Sequence, residues 1–361
     1  MECLIFDNSE MIQMFAETCD YCTKIQVVNN AFLMFNHDMN INMHIDVNIN
    51  IYKQYLFNIF DDYELITFTN DNISVYVYLA EYYHLHAEFI EYIVDEHLLN
   101  KNKFYDILCN HEIINDLIII RFGDDNDITN ETFEYIYEIN HTLFDRSAKL
   151  SSRFINDSNL KKFNKLHTLN ISNNEIATDE GIKHLQLISL NVSWNDILTD
   201  DGIKHMPLTF LDASHNSMIT DSCIKYMDLL ELYAIDNAFI TDNGVNHMHL
   251  HVLNASGDCG ITDIGIKHMQ LTFLDASYNT KITDNGTINM KHLTILNATS
   301  NKNITNAGIK YMNLHTLNAA DNGNITNSGI EHMQLTKIYN SCNLQITYDG
   351  VKHMKNVKIY N

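Results

Sequence analysis

From Leu166 to the end of the chain, apolar positions recur with a period of 21 residues. Within each copy, Leu at positions 1 and 4 and a smaller apolar residue at position 6 alternate with polar residues, which predicts a short strand with one buried face. The second half, I-T-D-x-G-I-K-H-M, predicts a short helical turn that is capped by Thr or Asp and places Ile and Met in the core. A period this short is typical of a solenoid, in which each coil covers the apolar face of its neighbour. The nine copies begin at Leu166, Leu187, Leu208, Leu229, Leu250, Leu271, Leu293, Leu314 and Leu335, and His292 is the one inserted residue.

Position 9 of the repeat is Asn in eight copies, and Asp258 is the one exception. An Asn at this corner is predicted to turn the chain inward, so that its amide bonds backbone groups left unpaired by the bend, including those of the next coil. Stacked coils would then form a structural Asn ladder. Its members are Asn174, Asn195, Asn216, Asn237, Asn279, Asn301, Asn322 and Asn343.

Two further columns of the repeat carry titratable side chains. Asp at position 14 and Lys at position 18 stand four residues apart, an order that favours ion pairing within a helical turn. The pairs are Asp179/Lys183, Asp200/Lys204, Asp221/Lys225 and Asp263/Lys267. Position 19 carries a column of His, which we interpret as a solvated edge; metal binding is the alternative and would need further ligands. The column is His184, His205, His247, His268, His332 and His353.

The pattern L-x-x-L-x-[A/V]-x-x-N-x-x-I-T-D-x-G-I resembles the leucine-rich repeat, in a short variant, over residues 166–361. This resemblance implies an α/β solenoid with a parallel sheet of nine strands on its concave side, spanning roughly 40 Å. Residues 147–165 are predicted to form an N-terminal cap, and the residues from Val357 a C-terminal one. The heavy use of Asn, Ile and Tyr, with a single proline, Pro207, is similar in style to leucine-rich-repeat proteins of giant DNA viruses and AT-rich protists.

Residues 1–146 lack the repeat and are predicted to form a mainly helical α+β domain. Apolar residues follow a helical spacing in four segments and a strand-like alternation in a fifth. These segments are 52–62, 73–99, 104–122 and 132–144, with the strand at 64–70. The order of helix, short strand and L-A-x-Y-x-x-L-x-x-x-F resembles the back half of a BTB/POZ domain over about 25–100, and an unrelated helical domain is the alternative. The resemblance implies a homodimer or an adaptor for a cullin-type ubiquitin ligase.

The net charge of −23 is concentrated in the first 150 residues, where 26 acidic and 7 basic residues give −19. An acidic chain repels phosphate groups, so neither nucleic acid nor an anionic membrane is expected as a partner. No apolar run approaches the ~18 residues of a membrane helix, and the first residues do not resemble a secretory signal. Seven scattered Cys suggest no disulfide framework. We therefore expect a cytoplasmic protein, in the host cytoplasm or in the virion if the chain is viral.

Few residues suggest catalysis or metal binding. Cys19 and Cys22 form a C-x-x-C, but the spacing of His37 and His44 does not fit a zinc finger, so ordinary thiols are the simpler interpretation. Motifs typical of nucleotide binding, of a Ser nucleophile or of a metalloprotease do not occur. The sequence therefore predicts no catalytic residue, no cofactor and no resident metal.

Positions 3, 5 and 8 of the repeat vary while the apolar positions do not, and several of them carry large aromatic or acidic side chains. Exposed aromatics ringed by polar groups are typical of protein-binding surfaces. The sequence therefore predicts a non-enzymatic interaction scaffold that binds a partner protein on its concave face. The alternative is a structural or packing protein, for instance a component of a viral particle. The predicted partner-binding residues are Trp194, Phe210, Asp212, Glu231, Tyr233, Phe273, Asp275 and Tyr278.

Overall fold

The computed structural model describes residue 73 and residues 87–99, 112–124 and 127–360 of the 361-residue chain. The chain forms two compact units, Met1–Arg121 with Glu131–Phe144, and Phe122–Asn130 with Asp145–Asn361. Several predictions fall outside the described residues. These are the helical segment at 52–62, the strand at 64–70, the Cys19/Cys22 pair with its two His, and most of the BTB-like segment at 25–100.

The described part of the first unit is helical. Helix α1 is Ala87–Tyr92 and continues as a π-helix, Ile93–Leu99. The helices that follow are α2 Glu112–Asp124, α3 Asn130–Asn140 and α4 Thr142–Arg146. They confirm the helical spacing over 73–99, 104–122 and 132–144 wherever the structure describes those segments. The Arg121 guanidinium donates to both carboxylate oxygens of Asp95, at 2.8 and 2.9 Å.

The second unit is an α/β solenoid of stacked coils. Each strand has three residues and pairs in parallel with the strand one repeat away, so strand order equals chain order. The central residue of each strand is a buried Leu or Ile in every case but the exposed last strand. The flanking residues are at least partly exposed, except Ser151 and Asn254. The strands are β1 Lys149–Ser151, β2 Thr168–Asn170, β3 Ser189–Asn191, β4 Phe210–Asp212, β5 Glu231–Tyr233, β6 Val252–Asn254, β7 Phe273–Asp275, β8 Ile295–Asn297, β9 Thr316–Asn318, β10 Lys337–Tyr339 and β11 Lys358–Tyr360.

The sheet therefore has eleven strands, and the expectation of nine was wrong. Both caps contribute a strand because an apolar residue occupies position 4 in each: Leu150 pairs with Leu169, and Ile359 pairs with Ile338. At about 4.8 Å per strand the sheet spans about 48 Å.

A four-residue helical turn closes each coil, as the second half of the repeat predicts. In the first seven repeats a Thr side chain at position 13 caps the turn by accepting from the N–H two residues later, as Thr178 does from Glu180. Ile at position 17 and Met at position 20 are buried in most coils. The turns are Asp157–Leu160, Asp179–Ile182, Asp200–Ile203, Asp221–Ile224, Asp242–Val245, Asp263–Ile266, Asp284–Thr287, Asn306–Ile309, Asn327–Ile330 and Tyr348–Val351.

The solenoid unit includes a segment that precedes the predicted cap at 147–165, namely Phe122–Asn130. The Asn130 Oδ1 accepts from Asn156 N–H and from the Asn159 amide, both at 2.9 Å. The ring of Phe122 meets Phe163 edge-on, with centroids 5.6 Å apart. These contacts replace the repeat that a coil in the middle of the stack would have on its N-terminal side.

Candidate partner-binding surface

The Asn ladder holds successive coils together beneath the sheet. Asn237 is 1% exposed, and its Oδ1 accepts from the N–H groups of Phe239 and Ile240 within its own turn. Its Nδ2 donates to three carbonyls of the coil before it, at Ala213, Asn216 and Ile219, over 3.1, 2.6 and 3.2 Å. The amides thus bond the preceding coil, whereas the sequence suggested the next one. All eight ladder Asn are buried, namely Asn174, Asn195, Asn216, Asn237, Asn279, Asn301, Asn322 and Asn343.

The fifth repeat replaces the missing Asn in another way. Asp258 is turned out to solvent, and Cys259 is buried next to it. The Gly260 N–H donates to the Asn237 carbonyl at 3.2 Å, the acceptor that a ladder amide reaches in other coils. Burial raises the pKa of the Cys259 thiol to about 11. A backbone N–H thus substitutes for a side-chain amide at this coil.

The Asp column at position 14 bonds between coils, and the predicted pairing with Lys four residues later was wrong. Asp179 accepts from both the N–H and the hydroxyl of Thr199 in the next coil, at 2.9 and 2.7 Å. Lys183 pairs with Glu180 instead, and Lys204 with Asp201, both three residues apart. Because the Asp carboxylate is already held by two donors of the next coil, Lys183 and Lys204 pair with these exposed acids instead.

The His column also bonds between coils. The Nε2 of His184 lies 3.1 Å from the Phe163 carbonyl, and that of His353 lies 3.1 Å from the Met333 carbonyl. His247 and His332 make the same contact, at 3.4 and 3.2 Å. No group of three or more metal-ligating side chains occurs among the described residues.

The surface carrying the predicted binding residues, here called the sheet face, consists of positions 3, 5 and 8 of the repeats. Strands β4 and β5 bring four of these residues together, because Phe210 pairs with Glu231 and Asp212 with Tyr233. The rings of Phe210 and Tyr233 lie 5.6 Å apart. Partial burial raises the pKa of Tyr233, and the negative charges of Glu231 and Asp212 raise it further. This part of the sheet face is both aromatic and electronegative.

Two predicted residues, Phe273 and Asp275, lie on β7, which β6 separates from β5. Asp275 is tied into the fold: its Oδ1 accepts from the Ser277 N–H at 2.9 Å and its Oδ2 from the Asn297 amide at 2.8 Å. Asp212 makes the same turn bond to the Ser214 N–H, at 3.0 Å. These two carboxylates therefore shape the turns as well as charging the surface.

Position 8 adopts the left-handed backbone conformation in every repeat. Trp194 and Tyr278 have φ values of 57° and 59°, although bulky side chains disfavour this region. They are 57% and 63% exposed. Trp194 stacks on His215 of the next coil, with centroids 3.8 Å apart. These large side chains stand at strained, exposed positions where the fold itself favours Gly or Asn.

Sequence reasoning missed three residues of the sheet face. The ring of His215 stacks on Trp194. Val252 and Ile295 occupy position 3 on the two strands that flank Phe273. Position 3 thus carries apolar side chains at Phe210, Val252, Phe273 and Ile295. The repeat register contained this signal, because residues at one position of consecutive copies become neighbours across the sheet.

No family model matches the chain, and no curated protein matches it. A chain in the crystal structure of the Rad7 and Elc1 complex in yeast is similar over 80% of this chain and 94% of its own length, with 13% sequence identity and a TM-score of 0.43. Among the described residues, no helix has the length and apolar character needed to cross a membrane. The assignment of the fold therefore rests on the strand register and on the bonds between coils.

Proposed function

We propose that this chain is a non-enzymatic protein-interaction scaffold whose sheet face, from β3 to β8, binds a partner protein. The observation that carries the proposal is the placement of Trp194 and Tyr278. Each is more than half exposed in a backbone conformation that is costly for a bulky residue, so neither is explained by the packing of the fold. Large aromatic side chains at interfaces contribute much of the binding energy.

The charges around these aromatics favour a partner surface with Lys or Arg. Asp212, Glu231 and Asp236 lie on or beside β4 and β5, where Phe210 and Tyr233 supply apolar area. Basic side chains suit both, since they pair with carboxylates and stack on aromatic rings. The predicted binding residues of β7, Phe273 and Asp275, extend the same surface by two strands.

Quantitative capture of proteins from the native cell tests the proposal. Wild type is compared with the Trp194→Ala/Phe273→Ala variant and with a matched control, Tyr226→Ala/Tyr311→Ala, which removes two exposed Tyr that lie just after the helical turns. We expect the first variant to lose the captured protein, with a cost of about 2 kcal/mol for a binding hot spot, and the control to retain it. Loss by both variants or by neither would contradict a binding site on the sheet face.

Residues 1–146 are proposed to link the bound partner to a second protein, by homodimerisation or as an adaptor for a cullin-type ubiquitin ligase. This proposal is supported by the BTB/POZ resemblance, which lies mostly outside the described residues. Co-precipitation of a cullin with the full chain, lost on deletion of residues 1–146, would support an adaptor. Recovery of the chain in purified particles without any ligase would favour the packing role instead.

A further inference from the structure

A second exposed feature of the solenoid unit is an apolar stripe at position 11, just before the helical turn. Its members are large apolar side chains in five consecutive coils, with exposed fractions between 38% and 54%. In the four repeats that carry the stripe, the Asn at position 9 is buried in the core, so the stripe lies past the turn that ends the sheet face. The apolar stripe is Phe154, Ile176, Ile197, Met218 and Phe239.

The Asn ladder fixes the register that places Phe154 in this stripe. Asn174 donates to the Ile155 carbonyl at 3.0 Å, as Asn237 does to the Ile219 carbonyl at 3.2 Å. Ile155 therefore occupies in the cap coil the place that Ile219 has in the third repeat. Phe154, one residue earlier, accordingly corresponds to Met218. The stripe ends at the fifth repeat, where position 11 becomes polar or very small in every later coil. Those residues are Gly260, Lys281, Asn303, Asn324 and Gln345.

Acidic side chains flank the stripe at its N-terminal end. Glu175 and Asp196 occupy position 10 of the first two repeats and are exposed, and neither forms an ion pair within the part of the chain that the structure describes. A cleft of about 720 Å³ opens beside Glu175, which lines it together with Phe154 and Ile176. The guanidinium of Arg153 lies 4.9 Å over the ring of Phe154, and its charge is paired with Asp127 at 2.7 Å. The flank thus offers negative charge next to apolar area.

The spacing of the stripe suits an α-helix. Neighbouring coils are about 4.8 Å apart at the sheet, close to the 5.4 Å pitch of a helix with one apolar residue per turn. Five coils cover about 19 Å, which corresponds to about 13 helical residues. Alternate residues of an extended strand recur at about 6.7 Å and would lose this match within two coils.

We infer that the apolar stripe docks an amphipathic helix of a partner protein, with one apolar residue per turn and Lys or Arg beside that apolar face. The flanking carboxylates select the charge of the helix, since Glu175 and Asp196 would attract basic residues. A second copy of this chain is a poorer occupant, because two copies that each carry a net charge of −23 repel one another. The same carboxylates disfavour an anionic membrane. The inference concerns a surface other than the sheet face and does not depend on it.

Fluorescence anisotropy with the full chain tests the inference. The probe is a labelled helical peptide of about 14 residues with one Leu per turn and flanking Lys, and a second peptide carries Glu in place of Lys. We expect the Lys peptide to bind wild type and the Glu peptide to bind at least about tenfold more weakly. Equal binding of the two peptides, or no binding of the Lys peptide, would overturn the inference.

Variants locate the site. Ile197→Ser/Met218→Ser should weaken binding of the Lys peptide by about tenfold or more, the effect of losing interface anchors. Leu344→Ser is the matched control, because Leu344 is 85% exposed at the other end of the solenoid. Phe273→Ala on the sheet face should also leave binding unchanged, which separates this site from the proposed partner surface. Binding that survives the stripe variant, or that is lost with either control, would contradict the assignment.

The exposed charge variant Glu175→Lys/Asp196→Lys keeps the test decisive if the apolar variant fails to fold. We expect this charge variant to bind the Lys peptide more weakly than wild type does and the Glu peptide more tightly. The other occupants have their own signatures. A dimer of wild type in light scattering that the stripe variant abolishes, or binding to phosphatidylserine vesicles without binding to the peptide, would overturn the proposal of a partner helix.

Discussion

At the residue scale, internal repetition decides which side chains can be understood from sequence. The Asn column was predictable because eight copies place the same residue at one corner. The role of Asp179 was not, because its partner Thr199 is 20 residues away while Lys183 offers a local alternative four residues away. The left-handed backbone at Trp194 was also hidden, since the residues at position 8 share no chemistry.

The first prediction at this scale concerns the Asn ladder. Asn237→Ala removes the group that bonds five backbone groups, so we expect a loss of about 1–3 kcal/mol in the free energy of unfolding. Asn285→Ala, at an exposed position of a helical turn, should cost under about 0.5 kcal/mol. Urea denaturation followed by circular dichroism compares the two variants. Equal losses in the free energy of unfolding would mean that the Asn ladder does not stabilise the stack of coils.

The second prediction concerns the Asp column. Asp242 accepts from the Thr262 N–H and hydroxyl at 2.8 and 2.6 Å, and from the Gly265 N–H at 3.0 Å. Asp242→Ala should lower the free energy of unfolding by about 1.5–3 kcal/mol, because it removes hydrogen bonds to a charged group. Asp242→Asn should cost clearly less, since Asn306 bonds Thr326 at the same position of a later repeat. An Asn variant as unstable as the Ala variant would contradict this reading of the column.

At the element scale, one coil is much like the next, and the departures from the pattern carry the new information. Sequence periodicity predicted the strand, the capped turn and the buried Met in each coil. It did not predict the strands of the two caps, because Leu150 and Ile359 stand outside the nine full copies. Nor did it show that Gly260 replaces the missing amide of the fifth repeat, which depends on backbone geometry rather than on residue type.

The fifth repeat yields a prediction about its glycine. A Cβ at Gly260 would lie 2.5 Å from the Ile240 carbonyl oxygen and 2.7 Å from that of Ala238, whereas one at Gly323 meets nothing closer than 3.9 Å. Gly260→Ala should therefore destabilise the chain by about 1–3 kcal/mol through overpacking. Gly323→Ala should be neutral, or stabilising by up to about 1 kcal/mol, because it restricts the unfolded chain. Thermal unfolding of the two variants tests this prediction. If Gly260→Ala left the stability unchanged, the backbone of Gly260 could not lie as close to the preceding coil as described.

At the scale of the whole molecule, the repeat made the solenoid predictable and left its beginning uncertain. Phe122–Asn130 belongs to the solenoid unit, although the sequence there shows no repeat. The candidate surface, too, was only partly predictable from the sequence. Phe210 and Tyr233 were both predicted to belong to this surface, while the contact between their rings and the stacking of Trp194 on His215 depend on the side-chain positions and on the backbone conformation at the turn.

Two fragments test where the solenoid begins. Residues 122–361 include Asn130 and Phe122, while residues 147–361 leave the amide of the buried Asn159 without its acceptor on Asn130. We expect both fragments to fold, because stacked coils stabilise each other, and the longer one to be more stable by at least about 2 kcal/mol. Equal melting temperatures in calorimetry would place the boundary at 146/147, as the repeat alone suggests.

Binding of a partner protein by the sheet face is tested most directly by hydroxyl-radical footprinting of the chain with and without its captured partner. The method reports the exposure of each aromatic side chain. We predict that the partner protects Trp194, Phe273 and Tyr278. Three exposed Tyr on or just after the helical turns, Tyr226, Tyr311 and Tyr348, should keep their reactivity as internal controls. Protection of those three Tyr with an unchanged sheet face would contradict the account.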